Sequence, residues 1–221
     1  MRAVFPRNVR AAVAVQRALA PLVVAGPRPR RLERIAGVDV AYEPRRGTCI
    51  GAVTVLSYPA LAVEEEIVGE GKTPFPYVPG LLSFREAPLL YRMLKERRER
   101  FDVLIVDGQG VAHPRRFGFA SHLGVLLDVP TIGCAKSRLC GDVDGVVGEA
   151  RGSRAALRMG RERVGTVLRT RTGVKPIYVS VGHRAALRWA TALVLELTPR
   201  YRVPEPIRRA HAAVTRAARG H

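Results

Sequence analysis

The octapeptide Ile35-Ala36-Gly37-Val38-Asp39-Val40-Ala41-Tyr42 decides how this sequence folds. Its β-branched content predicts a strand, and strict alternation puts Asp39 on the face shared by Ile35, Gly37 and Ala41. Pro44 to Gly47 reads as a turn into a second strand at residues 49–57. Pro59-Ala60 then turns the chain into a third strand at residues 61–68, which completes an antiparallel meander. Downstream, the period becomes helical over residues 85–100, where Leu89, Leu90, Met93 and Leu94 form the apolar side. Val103-Leu104-Ile105-Val106 is continuously apolar, as in a strand buried on both faces. A helix at 119–127, strands at 131–135, 164–170 and 176–181, and helices at 184–197 and 205–218 follow. The predicted fold is α/β, a mixed sheet of an antiparallel meander plus parallel strands, flanked by helices.

Upstream, Arg2, Arg7 and Arg10 precede an apolar stretch, but Gln16 and Arg17 interrupt it too soon for a secretory core. Val9, Ala12, Val13, Gln16, Leu19 and Ala20 fall mostly on one helical face, so a packed helix over about residues 8–20 is expected, with Asn8 as its N-cap. The segment Gly26-Pro27-Arg28-Pro29-Arg30-Arg31 links it to a core at about 32–211, and a short basic tail ends the chain. At 221 residues, one domain is expected.

Apolar residues make up 47% and charged residues 25%, which excludes both a disordered chain and a disulfide-stapled miniprotein. The net charge is +18, carried by 33 arginines and only four lysines. A coding bias towards arginine accounts for part of that ratio, but the net charge favours a polyanionic partner, nucleic acid first. Cys49, Cys134 and Cys140 form no CxxC pair, so no disulfide framework or structural zinc site follows, and a reducing cytoplasm is the simplest setting. No segment approaches the length that spans a bilayer.

The chemistry is sought in acids set among apolar strands. An ionised Asp39 inside the first strand is costly unless paired, hydrogen-bonded or bound to a cation. Asp107 closes the run at 103–106 and is followed by Gly108-Gln109-Gly110, at the carboxyl end of a buried strand where α/β sheets bind ligands. Taken singly, Asp107 reads better as a strand-end or turn residue satisfied by backbone N–H groups, and it is the presence of two such acids in one sheet that shifts the balance. Glu86 has its own plainer reading, a capping box with Ser83 at a helix start. Three carboxylates at one sheet end would favour Mg²⁺ or Mn²⁺, which take oxygen ligands. Gly108, Gly110 and Gly118 allow close backbone approach to a ligand, His113 reads as a proton shuttle or a satisfied loop histidine, and Lys136 follows a strand end. Tyr77, in Pro76-Tyr77-Val78-Pro79, either stacks on bases or packs beneath its own loop. Two near-motifs fail: Gly69-Glu70-Gly71-Lys72-Thr73 has Glu66 where a P-loop needs glycine, and Asp142-Val143-Asp144-Gly145 places its glycine two positions too early for a calcium loop.

At these residues the sequence resembles the endonuclease V family of deoxyinosine 3′-endonucleases. The resemblance is carried by Gly37-Val38-Asp39-Val40-Ala41-Tyr42, the segment from Pro76 to Pro88, Asp107-Gly108-Gln109-Gly110-Val111-Ala112-His113-Pro114-Arg115, Ala120-Ser121-His122-Leu123-Gly124 and Pro130-Thr131-Ile132-Gly133-Cys134-Ala135-Lys136-Ser137. Val167-Leu168-Arg169-Thr170-Arg171, Lys175-Pro176-Ile177-Tyr178-Val179-Ser180 and Tyr201-Arg202-Val203-Pro204-Glu205-Pro206 continue it in order. It implies an RNase H-like fold and Mg²⁺- or Mn²⁺-dependent hydrolysis of the second phosphodiester bond 3′ to hypoxanthine, leaving a 3′-hydroxyl and a 5′-phosphate. Asp39, Glu86 and Asp107 would bind the metal, His211 would complete its surroundings directly or through water, and His113 and Lys136 would act at the scissile phosphate. Pro76, Tyr77, Val78 and Pro79 would wedge the strands apart, and Gly80, Leu82, Gly108 and Gly118 would line the base pocket. The implied partner is DNA containing deoxyinosine, with inosine RNA as an alternative substrate, and the implied state is a cytoplasmic monomer. The competing class is a non-catalytic nucleic-acid-binding relative, which loss of any of the three acids would have favoured; none is lost.

Overall fold

The computed structural model describes residues 3–43, 46–73 and 75–219. The first strand, β1, spans Arg34–Glu43 and pairs antiparallel with β2, Thr48–Ser57, which pairs antiparallel with β3, Val63–Lys72. The expected meander is present. Pro44 and Arg45, half of the expected first turn, lie outside the described residues. The third strand starts later and runs further than expected, absorbing the false P-loop Gly69 to Lys72 as edge strand.

β4, Val103–Val106, and β5, Thr131–Ala135, continue the sheet parallel to β1, and β9, Ile177–His183, pairs antiparallel with β5. β8, Glu162–Leu168, β7, Arg154–Met159, and β6, Asp142–Asp144, extend it to nine strands among the described residues, in the order β3-β2-β1-β4-β5-β9-β8-β7-β6. β6 and β7 were not expected from sequence. Arg154-Ala155-Ala156-Leu157-Arg158-Met159 has no β-branched residue, and pairing with β8 overrides that weak local preference.

Helices cover both faces. On one lie α2, Leu82–Leu94, and α3, Phe119–Leu127, over Ala36, Val38, Leu104 and Val106. On the other, α4, Leu187–Glu196, packs over Ile105, Ile132 and Val179. Beside it α5, Glu205–Arg219, places Ala210, Ala213 and Val214 over Ile50 and Ala52. Ile207 of α5 is buried in the neighbouring cluster with Ile35, Val103 and Ile105, which stabilises the helix on the sheet by roughly 1.5–3 kcal/mol. The expected basic tail is therefore helix, with Arg216 held by Glu66. α5 approaches β1 closely at Gly37, where a Cβ would lie 2.2 Å from the Pro206 carbonyl carbon.

α1, Val9–Leu19, is N-capped by Asn8, whose Oδ1 accepts from the Ala11 N–H at 2.8 Å. Its inward face is narrower than expected, with Ala12 and Gln16 buried and Val9 exposed. The predicted helix over 85–100 is shorter at one end and longer at the other, since α2 begins at Leu82 and stops at Leu94. The capping box is absent: Leu81 holds the N-cap position, and Ser83 instead bonds Nδ1 of His122 at 3.1 Å. Among the described residues no helix is long and apolar enough to cross a membrane.

Candidate active site

The parallel register of β1 on β4 pairs Val38 with Val106, so the next residues, Asp39 and Asp107, come side by side on the face that meets α5. Glu86 reaches the same place from the first turns of α2. These three carboxylates line one cavity of about 370 Å³, together with Tyr77, Val78, Pro79, Gly80, Leu82, Gly108, His113, Gly118 and Lys136. Nearly every residue singled out from sequence thus borders a single space. His211 is not among the lining residues but bonds one of them from α5, its Nδ1 donating to Asp39 Oδ2 at 2.7 Å. Pro76 is exposed on the loop leading into the cavity rim.

The electrostatics are those of acids crowded in a half-dry cleft. Burial raises the Asp39 carboxyl above its ordinary range, His211 pulls it back, and the Asp107 charge pushes it up again. Glu86 is pushed up to about 8 by burial first and by the Asp39 charge second, with Arg85 opposing and Asp107 adding to the rise. Lys136 forms an ion pair with Asp107 Oδ2. The sequence reading expected the acids to meet as a ready ligand cluster. Among the described residues no three His, Cys, Asp or Glu side chains are gathered into such a set. Asp39 and Asp107 instead each turn an oxygen to a nearby nitrogen partner, His211 and Lys136. The donor chemistry nonetheless fits a hard divalent cation: oxygen ligands only, partly desolvated, whose mutual repulsion a bound cation would relieve.

His113 sits differently from a free proton shuttle. It is 2% exposed, its Nε2 donates to the Gly80 carbonyl at 2.8 Å, and its Nδ1 accepts from the Arg115 backbone N–H at 3.2 Å. Burial lowers its pKa to about 4, so the ring is neutral near pH 7. Tyr77, by contrast, is 66% exposed at the cavity mouth. It does not pack beneath its own loop.

Sequence reasoning missed three cavity features. Gln16 of α1 reaches the wall from outside the sheet, and from sequence it read only as a polar break in an apolar face. Gln109 donates to the Ser137 carbonyl at 3.0 Å, while its buried Oε1 has no protein partner among the described residues. Ser137, Arg138 and Leu139 form the rim after β5.

A mixed sheet with acids at the adjacent ends of parallel strands, beside a lysine and below a cleft, defines a nuclease of the RNase H-like class. Comparison with known proteins makes this narrower. The sequence profile of endonuclease V matches residues 17–212, and the chain belongs to the endonuclease V family. The endonuclease V of Gloeobacter violaceus is 48% identical over 202 residues, covering 90% of this chain and 82% of that one. The crystal structure of Streptomyces avermitilis endonuclease V is 44% identical with a TM-score of 0.88, covering 100% of this chain and 97% of that one. Ciona intestinalis endonuclease V, 26% identical with a TM-score of 0.81 over 96% of this chain and 98% of its own, was solved with DNA containing an inosine followed by a ribo-adenosine.

Proposed function

We propose that this protein is a DNA-repair endonuclease that recognises deoxyinosine and, with Mg²⁺ or Mn²⁺, hydrolyses the second phosphodiester bond on its 3′ side. The observation that carries the reading is the single cavity in which Asp39, Glu86, Asp107 and Lys136 share walls with a backbone-rich pocket and an exposed Tyr77. Asp39, Glu86 and Asp107 would hold the cation, with His211 fixing the Asp39 carboxylate. When bound, such a cation activates water and neutralises charge developing on the phosphate. Lys136 adds a positive charge at the end of the neighbouring strand, suited to the negative charge on the oxygens of the pentacoordinate phosphorus as water adds and the P–O3′ bond breaks. The leaving strand gains a 3′-hydroxyl and the other keeps the 5′-phosphate.

Gly80, Leu82, Gly108 and Gly118 would enclose the flipped base with main-chain groups. Hypoxanthine lacks guanine's exocyclic amine, so a tight wall excludes guanine sterically while accepting the shared O6 edge. Inosine pairs are also weaker, which lowers the cost of extraction. His113 is assigned to that wall, through Gly80, rather than to proton transfer, because both ring nitrogens already bond main-chain groups. Pro76, Tyr77, Val78 and Pro79 would fill the gap left in the duplex. The protein is proposed to act as a cytoplasmic monomer.

The test is an end-labelled duplex bearing one deoxyinosine, incubated with and without Mg²⁺ beside an Asp39→Ala control. A metal-dependent nick directly 3′ to the lesion's 3′ neighbour is expected, and tight binding with no nick would instead make the chain a binding protein. The ribo-adenosine in the Ciona complex motivates a second reading, inosine RNA, so a matched RNA arm belongs in the same assay. Tyr77→Ala is expected to raise the enzyme concentration for half-maximal nicking about tenfold, as loss of one stacking contact of ~1–3 kcal/mol implies, with little change at saturation. Unchanged activity at limiting enzyme would remove the wedge.

A further inference from the structure

The main-chain pocket has to be held in shape, and the residue doing so lies on α1. Gln16 is 1% exposed, and both ends of its amide are occupied. Its Nε2 donates to the Gly80 carbonyl at 2.9 Å and to the Phe117 carbonyl at 3.0 Å, and its Oε1 accepts from Arg115 Nε at 2.5 Å. The Gly80 oxygen also receives His113 Nε2 at 2.8 Å and Arg115 Nη2 at 3.0 Å, so three side chains converge on one carbonyl. Gly80 has φ +77°, a left-handed conformation, and a Cβ there would come within 3.1 Å of Arg115 Nη2. The turn therefore has a fixed orientation and little room to shift. Phe117 precedes Gly118, so the same amide ties the turn after Tyr77 to the turn before α3, across 64 and 101 residues of sequence.

We infer that Gln16 is a positioning residue for lesion specificity: by bridging the Gly80 and Phe117 carbonyls it sets the width of the pocket that accepts the base. The inference rests on the reading of this cavity as a hypoxanthine pocket. A carbonyl held by three donors keeps its peptide plane still, and the main-chain groups on either side of it face the base with a fixed spacing. Without the bridge, the two turns separate, the pocket loosens, and a larger purine is no longer excluded. α1 packs on α2 through Ala12 and Phe84, but Gln16 itself bonds only Gly80, Phe117 and Arg115 and none of the acids or Lys136, so chemistry on a seated substrate is left unaltered.

Two variants separate this from a folding role. Gln16→Met keeps the volume and removes all three hydrogen bonds. Gln16→Glu retains the acceptor for Arg115 but turns oxygen lone pairs towards both carbonyls. For each, nicking is measured at limiting and saturating enzyme on matched duplexes carrying inosine or guanine, alongside affinity for undamaged DNA and the thermal midpoint. The expected result is a 10- to 100-fold rise in half-saturating enzyme for inosine, a lower inosine-to-guanine ratio, saturated rates within threefold, and unchanged affinity for undamaged DNA. A folded variant that discriminates as the parent does overturns the inference, as does failure of both to fold, which would make Gln16 a folding residue only. If the parent protein itself shows no preference for inosine, it is the hypoxanthine reading that fails.

Discussion

Asp107→Ala is expected to lower nicking of an inosine duplex by about 10³-fold or more, while affinity for that duplex stays equal or rises. The loss follows from the site's layout. Asp107 is adjacent to Asp39 at the paired ends of β1 and β4, and it also holds the Lys136 ammonium. Removing it takes away one oxygen ligand and frees a positive charge that was aligned with the strand end, and a single preorganised electrostatic partner already contributes 10²–10³-fold in comparable sites, as an order of magnitude. Affinity moves the other way because a carboxylate facing phosphate repels it, so its removal from a chain of net charge +18 leaves DNA binding intact. Asp39→Ala should behave alike, with His211 losing its partner. The measurements are single-turnover nicking with excess enzyme and a gel-shift titration without metal. Turnover retained within tenfold of the parent would take these acids out of the metal site.

The second large effect concerns Glu86 and appears in stability as well as rate. Its folded pKa of about 8 lies well above the ordinary carboxylic value of 4.5. The unfolded chain therefore ionises first. The stability this group allows is fully present below about pH 4.5, falls as pH rises towards about 8, and is level above that. For one group the decline is at most about 1.4 kcal/mol per pH unit. Glu86→Gln should flatten that decline in metal-free protein and raise the thermal midpoint at pH 8, yet abolish metal-dependent nicking. Mg²⁺ should stabilise the parent at pH 8 much more than the variant, because the cation supplies the countercharge that the ionised Glu86 lacks. Superimposable pH–stability curves for the two proteins would refute the assignment of Glu86 as the strained acid of the site.

The parts of the fold that were legible in sequence are those in which local preference and burial agree. β1, β4 and β5 are apolar and β-branched, and they are the strands that carry or adjoin Asp39, Asp107 and Lys136. Much of the candidate site could be named in advance for that reason. β6 and β7 were hidden, because a three-residue Asp-Val-Asp strand has almost no local signal and β7 is made of good helix formers. The start of α2 misled because Ser83 and Glu86 have capping-box spacing, whereas their side chains serve His122 and the cavity instead. Gln16 was illegible for another reason. Its three partners lie 64 to 101 residues away, and nothing in its neighbours reports them.

The bond from His211 to Asp39 joins groups 172 residues apart, and Gln16 reaches the same cavity from α1. No contiguous stretch of the chain holds a working site. A nuclease so assembled cannot be shortened to a minimal cutting peptide or divided into exchangeable cassettes. The smallest transplantable unit runs from α1 to α5, and a fusion partner belongs outside those two helices rather than in any loop between them.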